Sequence, residues 1–192
     1  MLAKVEVIMH LPIAVIAAFC TALVPSISSA IAKNNMEVGA RRLSFSFFVA
    51  ILIILPAAIG TAVISDPILR MIYPAAPEGA GLLALTTITM IFVSLNFVVN
   101  GGLYGLGKVM IPVVSLVIGG IIKLVLNIVL ISNPNINVYG AVISSIVCQV
   151  IVFVICFVVL NKHIKLNINF KNHIFKPLIA AGIMGAGVFR YV

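Results

Sequence analysis

Charge is scarce in this chain: 8% of its 192 residues are charged, and four of those side chains are acidic. A soluble domain carries about 25% charged and about 45–50% apolar residues. Here 63% of the sequence is hydrophobic and the mean hydropathy is +1.31. So few charges cannot cover a water-facing surface, which excludes a soluble globular protein. The acids Glu6, Glu37, Asp66 and Glu78 stand in four separate places, none with a histidine at metal-ligand or catalytic-pair spacing. An enzyme reading therefore has little support, and neither a metal nor a cofactor is expected. Cys20, Cys148 and Cys156 lie inside apolar stretches without a CxxC partner and read as small buried hydrophobes. The net charge of +8 falls mostly in short gaps between apolar runs. That is the pattern of positive membrane loops, not of a nucleic-acid face.

What is abundant is uninterrupted apolar sequence. Cutting at polar residues leaves five full runs, Val7 to Ala32, Ser44 to Ser65, Ala80 to Asn100, Val109 to Ile131 and Val138 to Leu160. A sixth starts near Pro177 and is cut off at Val192. About 20 helical residues cross a hydrocarbon core of roughly 30 Å, so each full run is long enough to span. The runs lack the in/out alternation of barrel strands. The first is too long for a secretory signal, with no small-residue cleavage site leading into a soluble domain. The expected fold class is all-α, a polytopic membrane helix bundle of five full spans plus a truncated sixth, in a single transmembrane domain over residues 1–192.

Basic residues orient the bundle. Lys33, Arg41, Arg42, Lys108, Lys162, Lys165, Lys171 and Lys176 fall on one side, Lys4 and Arg70 on the other. The positive-inside rule places the first group in the cytoplasm and the N-terminus outside. The first span then begins on the far side almost at Met1, and the sequence stops within an apolar run. Both features lead to the expectation of a piece of a larger bundle.

Prolines and glycines mark the spans as more than anchors. Pro12 and Pro25 interrupt the first, Pro56 and Gly60 the second, and Gly119 and Gly120 sit within the fourth. A proline in a helix removes a backbone hydrogen bond, which neighbouring helices or water must make good. Ala14, Ala18 and Ala22 recur at the spacing that lets helices approach closely. Broken, closely packed helices suit a transporter, although kinks also occur in passive membrane helices.

Lys123 is the sharpest chemical signal. It lies 11 residues after Pro112, roughly 16 Å along the helix, where a lysine costs about 2.5–3.5 kcal/mol on insertion scales. Asn127 follows one turn on, and Ser115 and Gly119 precede it on the same stripe. Two readings fit: a cation facing a transport cavity, suited to an anionic head group, or a lysine that pairs with a helix C-terminus or snorkels to the surface. Thr89, Asn96 and Asn100 form a second stripe on the third span, able to bind sugar hydroxyls or to join helices. His10 and Gln149 read as core-packed. Gly101 to Lys108 lacks the Walker pattern and reads as a tight cytoplasmic turn whose glycines take left-handed angles. Asp66 to Gly79 reads as a short external interfacial segment. Ile164, Leu166, Ile168 and Phe170 alternate with Lys165, Asn167 and Asn169, as in a solvated loop, or as in a strip on the cytoplasmic interface whose lysines meet anionic lipid.

These residues together match a known pattern. Leu11-Pro12 with Ala22-Leu23-Val24-Pro25-Ser26-Ile27-Ser28 resembles the eighth helix of polysaccharide-type flippases in the multidrug/oligosaccharidyl-lipid/polysaccharide (MOP) exporter superfamily. The resemblance continues through Leu55-Pro56-Ala57-Ala58-Ile59-Gly60, Asp66-Pro67-Ile68-Leu69, Gly105-Leu106-Gly107-Lys108, Pro112, Lys123, Asn127 and Tyr139-Gly140-Ala141. It is nearest the stage V sporulation protein B type, related to the lipid II flippases.

That resemblance implies a MATE-like bundle of about fourteen helices in two lobes, of which this chain supplies roughly helices eight to early thirteen. It also implies an undecaprenyl-linked glycan as substrate, moved across the cytoplasmic membrane by alternating access. The remaining partners would be membrane lipid and the missing N-terminal lobe of the same protein, with no nucleic acid. Candidate cavity residues are Lys123, Asn127, Asn96 and Asn100; candidate kink and packing positions are Pro12, Pro25, Pro56, Gly119 and Gly120. A drug/cation antiporter of the same superfamily, a membrane-bound glycan-modifying enzyme and a scaffold subunit are the rival readings.

Overall fold

Inside hydrocarbon every backbone polar group must find a partner within the protein, and a helix supplies those partners locally. The apolar runs fold accordingly. The computed structural model describes residues 2–33, 35–72, 80–132 and 138–164. These form α1 (Leu2–Ala32), α2 (Met36–Val63), α3 (Ser65–Ile72), α4 (Ala80–Gly105), α5 (Met110–Ile131) and α6 (Val138–His163). All but α3 are long and apolar enough to cross a membrane. The predicted sixth span lies outside the described residues, as do residues 73–79 and 165–170.

Helix ends depart from the apolar runs. α2 begins at Met36, eight positions ahead of the second run, because the Asn35 side chain caps it by accepting from the Val38 N–H at 3.3 Å. Arg41 and Arg42 thus ride on a helix instead of a loop. The predicted glycine turn is largely helical too: α4 continues through Gly101 and Gly102 to Gly105, and Gly107 takes a left-handed angle, φ 71°. α1 runs through Pro12 and Pro25, and α2 through Pro56, as continuous helices.

α4 is the central element, packed against α1, α2 and α6, while α5 docks chiefly on α6. The difference in burial is large: more than half of α4 is buried, whereas α5 is mostly open. Phe47 of α2 meets Phe157 of α6 edge-on at 6.0 Å. Phe157 stacks on Phe153 at 5.4 Å, and Phe153 meets Phe92 of α4 at 6.1 Å. This ring chain ties three helices together.

Among the described residues the small-residue stripe of α1 is not its packing face. Ala14, Ala18 and Ala22 are exposed, and α1 turns Ile13, Ile16, Cys20 and Ile27 inward instead. Glycines of α4 allow the close approach: a Cβ at Gly105 would lie 2.7 Å from Ile27 Cγ2. Larger side chains on one helix set against absent side chains on the other bury more surface than paired alanines. His10 is likewise exposed, not core-packed.

Candidate functional site

The α5 face that carries Lys123 is built by packing against α6. Pro112, Ser115 and Gly119 are the buried residues of α5, spaced at three and four so that they share one side. A Cβ at Gly119 would stand 2.7 Å from Val152 Cγ2 and 3.0 Å from Cys148 Sγ. Gly120, one position on, faces open space. The same face continues to Asn127, whose Oδ1 accepts a hydrogen bond from the Ser144 hydroxyl of α6.

Lys123 lies between these two contacts and is half-buried. No salt bridge joins it to an acid among the described residues. The cation is thus placed on the α6-facing stripe, one turn from an amide that Ser144 holds in place.

On a neighbouring side of α6, Asn96 of α4 is buried and its Nδ2 donates to the Gln149 carbonyl at 3.1 Å and to Gln149 Oε1 at 2.9 Å. Both partners are acceptors, which fixes the nitrogen end of the amide and leaves Oδ1 as its remaining acceptor. Asn96 Oδ1, Asn100 Oδ1 and Thr89 Oγ1 are buried and receive no hydrogen bond from the described residues. Buried polar atoms are usually paired, so this α4 stripe can take further donors, such as hydroxyl groups. Lys123 with Asn127 and Asn96 with Asn100 occupy neighbouring sides of α6, since α4 and α5 meet only narrowly.

Two features went unread in the sequence. Arg42 Nη1 donates to the Ser26 carbonyl at 2.6 Å and to Ser26 Oγ at 2.9 Å, pinning α2 to α1 one residue past Pro25. A cleft of about 600 Å³ opens where α2 starts and α6 ends, lined by Glu37, Arg41, Ser44 and His163 among others. The spacing of Glu37, Arg41 and Ser44 was available as a signal; their meeting with His163 was not. No group of three or more metal-ligating side chains occurs among the described residues.

The family model of the lipid II flippase MurJ matches residues 1–192. A curated relative, the lipid II flippase MurJ of Bacillus subtilis (strain 168), is 29% identical over 164 residues, which cover 83% of this chain and 30% of that protein. The chain therefore spans about a third of the length of the relative it matches.

Proposed function

This chain belongs to the lipid II flippase MurJ family, and from that premise we propose that it is the second-lobe part of a transporter for a lipid-linked oligosaccharide or peptidoglycan precursor. It is a multi-pass protein of the cytoplasmic membrane. The proposed whole has a MATE-like arrangement of about fourteen helices in two lobes, with this chain as roughly the eighth to the early thirteenth. The observation that carries the reading is Lys123: a half-buried cation deep in a span, without a salt bridge among the described residues.

A pyrophosphate-linked head group entering the bilayer needs compensation for its charge, because anions are poorly solvated there. In this mechanism the Lys123 ammonium supplies that charge, Asn127 lies one turn away, and the unpaired oxygens of Asn96 and Asn100 accept from sugar hydroxyls. The lipid tail stays in hydrocarbon throughout. The N-terminal lobe closes the other wall of the cavity, and rocking between lobes exposes the head group to each face in turn. Tight α5–α6 contact at Gly119 favours movement of those two helices as one body.

Substitution at Lys123 in the full-length protein tests this. Lys123→Ala should strongly reduce appearance of the precursor at the outer face while leaving protein levels near normal, since the removed charge is itself what opposes insertion. Lys123→Arg should keep part of the activity. Full transport by Lys123→Ala at unchanged protein level would overturn the assignment. Depletion of the protein by both substitutions would instead make Lys123 a packing residue.

A further inference from the structure

The cleft between the start of α2 and the end of α6 has a chemistry that the transport cavity does not use. It lies at the basic end of the bundle, which the distribution of lysine and arginine places at the cytoplasmic interface. Glu37, Arg41 and Ser44 line it from α2 and His163 from α6, with Met36, Ala40 and Ile164 completing the wall. Glu37 and Arg41 are four residues apart on one helix, the spacing at which opposite charges pair. No salt bridge joins them in the described structure, so one charge of each sign borders the same space.

His163 is committed at one nitrogen, with Nδ1 2.8 Å from the Val159 carbonyl. As the carbonyl can only accept, Nδ1 carries the proton, and Nε2 of the neutral ring remains as an acceptor. The apolar surroundings extend in one direction. Phe45 is 61% exposed and Leu52 46% exposed, and with Arg41 they follow at intervals of four and seven on one face of α2. A strip of open hydrocarbon surface thus leads from the cleft into the bilayer.

We propose that this cleft binds the zwitterionic head group of an aminophospholipid of the cytoplasmic leaflet, with the phosphate at Arg41 and Ser44, the ammonium at Glu37 and His163, and an acyl chain along Phe45 and Leu52. A purely anionic head group meets Glu37 unfavourably. A trimethylated head group retains the charge but has no N–H to donate to the carboxylate or to His163 Nε2. An aminophospholipid matches both charges and both hydrogen-bonding roles. The site is separate from Lys123, so failure of the cavity assignment leaves it standing, and the reverse holds too.

The test uses the delipidated full-length protein in detergent, titrated with phosphatidylethanolamine, phosphatidylcholine and phosphatidylglycerol and followed by native mass spectrometry and thermal unfolding. Phosphatidylethanolamine should bind tightest and raise Tm most. Glu37→Gln should remove its advantage over phosphatidylglycerol, and Arg41→Gln should weaken all three lipids, each effect about 2–5-fold for an interfacial ion pair. The lipid-free Tm of both variants should match that of the parent. Equal binding of the three lipids, preference for phosphatidylglycerol, or a lipid ranking unchanged by Glu37→Gln would overturn the proposal.

Discussion

Gly119 and Gly120 are adjacent and chemically identical, yet their surroundings differ completely. A methyl group at Gly119 would enter the Val152 and Cys148 side chains, whereas at Gly120 it would meet nothing within 4 Å. Val152 is β-branched and cannot swing aside cheaply, so α5 and α6 must part. Gly119→Leu should therefore destabilise the protein by about 1–3 kcal/mol, the usual range for overpacking. Gly120→Ala should be neutral or stabilising by up to about 1 kcal/mol through helix propensity. Detergent-solubilised thermal unfolding of the two variants checks the contrast, and equal losses would refute the α5–α6 register. The glycine pair was visible in the sequence but its division of labour was not, because two neighbouring residues point about 100° apart on a helix and only a partner's position distinguishes them. Lys123 and Asn127 were legible because helical spacing alone links them. The Asn96–Gln149 bond, 53 positions apart, depended on which helices meet.

At the scale of elements, the spans were readable because length and hydropathy are what crossing a bilayer requires. Their ends were less so, since an apolar run marks hydrocarbon and a helix continues into polar sequence until its caps are satisfied. Asn35 gives α2 two extra turns in this way. The choice of packing faces was hidden for a related reason. Lipid tails and protein interiors both favour apolar side chains, so Ala14, Ala18 and Ala22 could not be told from a contact stripe by composition. The helix order also sets a topology that labelling can check. In a cysteine-free background, single cysteines at Ala32 and Val109 should resist an impermeant thiol reagent in intact cells, while one at Ser132 should react. All three side chains are exposed, so access to the reagent depends on the side of the membrane. Labelling at Ala32 with protection at Ser132 would invert the orientation.

At the scale of the molecule, the five spanning helices leave large surfaces uncovered among the described residues. The outward residues of α5 include Leu116, Leu124 and Ile128, each more than 60% exposed, and the alanine stripe of α1 is open as well. Lipid can cover both, but a two-lobe transporter also needs a face for its other half, and small residues permit close helix approach there. In the proposed two-lobe arrangement the cavity would have one wall here and the other in the N-terminal lobe; the residues matched to the Bacillus relative cover 30% of it. Alternating access requires motion between two bodies around a central site, which a single packed bundle does not provide. Expressed by itself at normal levels, the 192-residue chain should insert into the membrane yet fail to restore growth to a flippase-deficient strain. Supplying the N-terminal lobe as a separate polypeptide should restore it at least in part, if the exposed α1 and α5 faces are where the lobes meet. Rescue by the lone chain would reject the two-lobe account and point to paired copies that form the cavity between themselves, a result that crosslinking between α1 alanine-stripe positions of two copies would then distinguish from transport by a monomer.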